Sequence, residues 1–178
     1  MVKLNPKGDK CIIATGRAFY DAASISGYAF SEEVPILLVG DSRRLDDRTI
    51  DLINEAGFKE MIIVGSNIPI NDAVYTQTNI KKSNIVRLAG YDHFDTSFAI
   101  AKWSLGESKS RVQPDKPFKY KNGIGFATAK TYPDALAAGP IQGSMQSPLV
   151  FIQDITKVKK QIKQFVEPHR NEIRNLYF

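Results

Sequence analysis

The chain is poor in the residues that build metal centres and covalent frameworks. One cysteine in 178 residues, Cys11, cannot form an internal disulfide. It opens an apolar run, so it reads as a buried, inert thiol. Two histidines and one cysteine, widely spaced, exclude the usual zinc clusters. No apolar run approaches the ~20 residues of a membrane span. The opening MVKLNPKGDK lacks the apolar core of a signal peptide. Taken literally this means a cytosolic protein, although a domain cut from a longer secreted chain would look the same. Neither GxGxxG, a phosphate loop nor GxSxG occurs, so no motif points to a nucleotide or a serine nucleophile. We expect no cofactor, no metal and no catalytic residue.

What is present is ordinary globular material, with 43% hydrophobic and 24% charged residues. A net charge of +5 leans towards polyanions, such as nucleic acid, an anionic wall polymer or a membrane surface. A simple solubility charge explains it equally well. The stronger signal is a repeat. Residues 14–41 return without a gap as residues 127–154, 113 positions later. Seven of the 28 pairs are identical: Ala14/Ala127, Thr15/Thr128, Asp21/Asp134, Ala22/Ala135, Ser31/Ser144, Pro35/Pro148 and Asp41/Asp154. Unrelated segments would share about two. Arg17/Lys130 and Phe19/Tyr132 also keep their chemistry. Such a period implies an array of like units.

Short apolar runs alternate with helical patterns. CIIAT (11–15), PILLV (35–39) and MIIV (61–64) read as buried strands, separated by helices over 19–31 and beyond Asp41 or Ser42, either of which can cap. Gly57 suits a helix stop. Strand, helix, strand with short turns predicts an α/β fold of tandem Rossmann- or flavodoxin-like units, parallel sheets covered by helices. IVRLA (85–89) is a further strand. Phe94, Phe98, Ala101 and Leu105 then form a helical stripe capped by Asp92 or Asp95, with Trp103 at its edge. Residues 106–122 read as a long basic surface loop, a solvated segment or a polyanion contact. The second unit repeats the order: strand 124–128, helix from Pro133, strand 148–152, helix from Ile155 to Val166 capped by Asp154. IRNLYF (173–178) follows as a third strand at the same period, although NLYF alone also resembles a protease-site remnant. The boundary falls near residue 83. Units 1–82 and 83–178 each look incomplete, the first at its amino end and the second at its carboxyl end.

Thr15 and Thr128 fall at the carboxyl ends of first strands, where open α/β sheets bind ligands. Thr15 and Arg17, with Thr128 and Lys130, could line an anion site at helix N-termini, or could be turn chemistry alone. Asp21 and Asp134 lie in first helical turns, where a carboxylate offsets the helix dipole. Pro133 fits the first turn. Arg87 could pair with Asp92 or Asp95, or face an anion. His93 reads as a surface or groove histidine.

RLAGYDHFDTSFAIAK (87–102), FATAKTYPDALAAGPIQGSMQSPLVFI (126–152) and FKEMIIVGSNIPIND (58–72) resemble the cell wall binding repeat 2 family. The resemblance implies a non-covalent, non-catalytic anchor of Gram-positive surface proteins, secreted and held at the cell wall or in a surface layer. It further implies repeats in threes, an anionic, teichoic-acid-like polymer as partner, further repeats of the same protein, and no nucleic acid. Departures occur at His93, where arginine is usual, and at Phe94, Tyr20, Ala129 and Ser66. A cation at His93 would depend on pH. Two rivals stay open: a flavodoxin-like enzyme on a phosphorylated or nucleotide substrate, and a purely structural packing module.

Overall fold

The computed structural model describes residues 8–130, 132–152, 159 and 162–178. Strand β1 (Lys10–Thr15), helix α1 (Phe19–Ser31), β2 (Ile36–Val39), α2 (Asp47–Glu55), β3 (Glu60–Val64) and β4 (Ile85–Leu88) form a parallel sheet of order β2-β1-β3-β4 with its helices. Its strands alternate between two apolar cores, as a sheet covered on both faces requires. Ile12, Ile62 and Val64 face Ile25, Tyr28, Ile100 and Trp103. Cys11, Ile13, Met61 and Ile63 face Leu45, Ile53, Phe58 and Val74. Burial pushes the Cys11 thiol up to about 12, in keeping with an inert side chain.

Helix α3 (His93–Ser104) leads to β5 (Ile124–Thr128), α4 (Tyr132–Met145), β6 (Leu149–Ile152) and β7 (Leu176–Tyr177), a second parallel sheet of order β6-β5-β7. Helices α1 and α3 lie against both sheets, α3 touching β4 and β6, so the two sheets share one helical layer. β5 pairs β6 in the register of β1 with β2: Ile12 opposes Ile36, and Gly125 opposes Leu149. Each pair is 113 residues from its counterpart. Strand β7 breaks the period by two residues. Cys11 opposes Met61, but Ile124 opposes Leu176, not the Arg174 that a constant shift predicts. The expected strand 173–178 is therefore shorter and later.

The helical counterparts α1 and α4 cross closely at small residues. A Cβ on Gly139 would lie 2.0 Å from Ser26 Oγ, and one on Gly143 would lie 2.5 Å from the Gly27 carbonyl oxygen. Ser26 and Gly139 are themselves 113 apart, as are Phe30 and Gly143, so equivalent positions of the repeat meet each other. Any side chain at Gly139 or Gly143 would hold the helices apart.

Several expectations change. Asp46, not Asp41 or Ser42, caps α2, accepting from Thr49 N at 2.8 Å. Trp103 is fully buried rather than at an edge, because residues 105–119 fold back over it. Its Nε1 donates to the Val112 carbonyl at 2.9 Å. That segment is thus a packed strap, not a free loop: Val112 and Phe118 are buried. Lys10 Nζ reaches Asp115 at 2.6 Å and Glu60 at 3.1 Å. Desolvation pulls the Lys10 pKa down, but the hydrogen bonds to Asp115 and Glu60 outweigh it and raise it overall. The expected cap Asp154, and half of the helix expected from Ile155 to Val166, lie outside the described residues.

Candidate functional site

The turn from first strand to first helix is built the same way twice. Gly16 N donates to the Val39 carbonyl at 2.8 Å, and Ala129 N to the Ile152 carbonyl at 3.2 Å. Arg17 N donates to Thr15 Oγ1 at 3.2 Å, and Lys130 N to Thr128 Oγ1, also at 3.2 Å. Each threonine hydroxyl thus ties down its own turn. Thr15 is buried and Thr128 half-buried, which leaves these positions structural. The side chains they present, Arg17 and Lys130, are both exposed. Ala18, the N-cap of helix α1, offers no side-chain cap, and Asp21 supplies the acidic group of its first turn. Nearby Asp41 accepts from Arg43 N at 2.7 Å; that bond, with help from Arg17, holds its carboxyl below the usual range.

Asp21 and Asp134 stand in unlike surroundings. Asp21 is half-buried in the first turn of α1, and burial raises its carboxyl pKa. It lies under Gly65, where a Cβ would come 2.3 Å from Asp21 Oδ2. Gly65 also has φ +98°, so glycine is required there twice over. Asp134 and Pro133 are exposed in the first turn of α4.

Arg87 pairs with neither Asp92 nor Asp95. From β4 it clamps the loop that leaves β3. Its Nε donates to Tyr75 Oη (3.0 Å), Nη1 to the Gly65 (2.8 Å) and Ser66 (3.1 Å) carbonyls, and Nη2 to the Ile70 carbonyl (2.8 Å) and Asp72 Oδ1 (2.9 Å). The guanidinium stands 5.4 Å from the Tyr75 ring centroid. With its donors spent on carbonyls, it is a structural fork rather than an anion contact. Asp92 is the cap of α3, accepting from Asp95 N at 2.8 Å.

His93 joins an aromatic junction between the sheets. It stacks on Tyr20 at 4.3 Å and 21°, and sits 4.1 Å from Phe94. Tyr20 and Phe19 meet Phe151 edge-on, at 6.2 and 6.3 Å. Burial lowers the His93 pKa, against the opposing pull of Asp92. Arg17 and Lys130 thus face solvent at matched positions, Thr15 is buried, Thr128, Arg87 and His93 are half-buried, and Asp92 is exposed but spent on the α3 cap. Among the described residues no cluster of His, Cys, Asp or Glu could hold a metal ion.

The sequence reading passed over a second group, around His169. Tyr120 stacks on His169 at 3.9 Å and donates to Glu107 Oε1 at 2.7 Å. His169 Nε2 lies 3.4 Å from Glu107, and its Nδ1 3.0 Å from Glu172. The sequence carries no signal for it beyond the basic strap, because its parts come from separate segments.

The chain is 27% identical over 82% of its length to the amidase enhancer of Bacillus subtilis (strain 168), spanning 17% of that protein. It is 28% identical over 57% of its length to the N-acetylmuramoyl-L-alanine amidase LytC of the same strain, spanning 20%. Two solved structures share the fold over 82% of the chain. They are Cwp8 from Clostridium difficile (TM-score 0.64, 23% identity, 23% of that chain) and Cwp6 from Clostridium difficile (TM-score 0.61, 20% identity, 21% of that chain). The chain thus spans about a fifth of each of these relatives. The model of cell wall binding domain 2 (CWB2) matches residues 87–175, half of the chain, and the protein belongs to that family.

Proposed function

We propose that the protein is a non-catalytic module that holds anionic, teichoic-acid-like polymer at the cell wall by charge complementarity, within a longer secreted surface protein. Cell wall binding is the family's own description. The observation that carries the charge-led part is the repeated turn, with exposed Arg17 and Lys130 at the same place in both halves. A polyanion can engage both at once, and weak contacts then add through effective concentration. The reading takes residues 1–82 and 83–178 as two repeats of one unit.

The relatives' names supply the setting. The relatives are an N-acetylmuramoyl-L-alanine amidase and an amidase enhancer, which fits a wall-holding segment that keeps the rest of a longer chain near its site of action. Further repeats of the same protein are the natural neighbours of α4. Its outer face exposes Leu136, Ile141 and Met145, beside Phe30 of α1. An apolar face of this kind fits a further helix of like shape.

Co-sedimentation with purified cell walls at low and high salt tests the reading. Retention should be strong at low ionic strength and fall as salt screens exposed charges. Retention that high salt leaves unchanged would refute the charge-led mechanism; none at any salt would refute wall binding itself.

A further inference from the structure

Most of the positive charge singled out in the sequence lies on the strap between α3 and β5, not at the strand-to-helix turns. The strap buries Val112, Phe118 and Tyr120 and exposes Lys109, Arg111, Lys116, Lys119 and Lys121. Its middle is pinned to the first residue of β1, since Asp115 meets Lys10. Its end leads into the first residue of β5. The strap therefore sits at the amino ends of the strands, opposite the turns that carry Arg17 and Lys130.

Between the strap and the segment before β7 lies an open cleft of about 380 Å³. Lys119 and Lys121 line one side, Asn171 and Arg174 the other, and Leu105, Phe118 and Tyr120 give it an apolar lining. All three cations are exposed, and none makes an ion pair among the described residues. The carboxylates close by are engaged elsewhere. Glu172, which also lines the cleft, lies 3.0 Å from His169 Nδ1, and Glu107 accepts from the Tyr120 hydroxyl. Tyr120 stacks on His169, whose two ring nitrogens face Glu107 and Glu172. What faces solvent is a partly apolar trough with three cations, one amide and the Glu172 carboxylate, a net positive lining.

We propose that this cleft is a subsite for a phosphate-bearing wall glycan or polyol chain. Lys119, Lys121 and the Arg174 fork take phosphate charge, and Asn171 offers both a donor and an acceptor to hydroxyl groups. An open trough suits a chain that passes through it rather than a small enclosed ligand. The inference rests on the anionic-polymer reading above and gives it a location.

The test measures binding of the whole chain to poly(glycerol phosphate) by calorimetry. It compares wild type, the triple variant K119Q/K121Q/R174Q, and a control R48Q/K81Q/K163Q that loses the same charge from exposed positions elsewhere. Circular dichroism checks that each variant is folded. The cleft variant should bind roughly tenfold more weakly and the control less than about twofold, as three exposed ion contacts allow. Equal loss in both variants, or no loss in the cleft variant, overturns the subsite while wild-type binding keeps the polymer reading. Absence of wild-type binding overturns the polymer reading and the subsite with it.

Discussion

Arg87 separates a structural role from a ligand role more sharply than any other residue. Replacing it with methionine keeps the aliphatic stem and removes five hydrogen bonds, three of them to the carbonyls of Gly65, Ser66 and Ile70. The pair with Asp72 counts for little, because that carboxylate is 63% exposed and water replaces its partner. The carbonyls matter more. Gly65 and Ile70 are buried, and each acceptor left without a charged donor costs about 1–3 kcal/mol. Water reaching the half-buried loop recovers part of that, so R87M should lose about 3 kcal/mol. In a chain of this length that is a fall in Tm of roughly 6–12 °C. The assay is urea unfolding followed by fluorescence of Trp103, the single tryptophan, packed edge-on against Tyr28 at 4.7 Å. R87K should recover less than half of the loss, since an ammonium cannot reproduce the planar fork. A variant within about 0.5 kcal/mol of wild type that nevertheless loses polymer binding would refute the clamp and return Arg87 to the binding surface.

Three further outcomes follow from other parts of the fold. G139S should destabilise by about 1–3 kcal/mol, because its side chain meets Ser26 at the α1–α4 crossing; the exchange S26G/G139S should regain most of it, seen as a return of the urea midpoint. The Tyr28 hydroxyl is buried without a hydrogen-bond partner among the described residues, so Y28F should be neutral or stabilising by up to about 1 kcal/mol in the same assay. His93 has a folded pKa below its unfolded value, so its contribution is fully present above pH ~6.5 and is lost as pH falls through the folded pKa. H93F should therefore flatten the slope of stability against pH below ~6.5, and an unchanged slope would show that the imidazole stays solvated.

The repeat made the architecture legible before any coordinates. Apolar runs too short for helices and bounded by turn residues can only be buried strands of a covered sheet, and the 113-residue period carried the β1–β2 register onto β5–β6. Identity and chemistry at matched positions also marked the turns with Arg17 and Lys130. Other readings failed where a residue's partner lies far along the chain. Arg87 bonds residues 12 to 22 positions before it, not the acids just after it. The 106–122 segment is the surface loop expected, with its cations exposed, but its anchoring through Val112 and Phe118 was hidden among the more numerous polar residues.

Local spacing, then, was enough for element type, strand pairing and family, because those follow from periodicity and short turns within each unit. Where charge is available to a ligand was decided only by folding. Burial lowers the His93 pKa, carbonyls occupy Arg87, and Lys10 is locked between Glu60 and Asp115, while Lys119, Lys121 and Arg174 are left facing water. The reason is that a side chain's charge and donors belong to its surroundings in space, and those surroundings are assembled from residues that no sequence window contains.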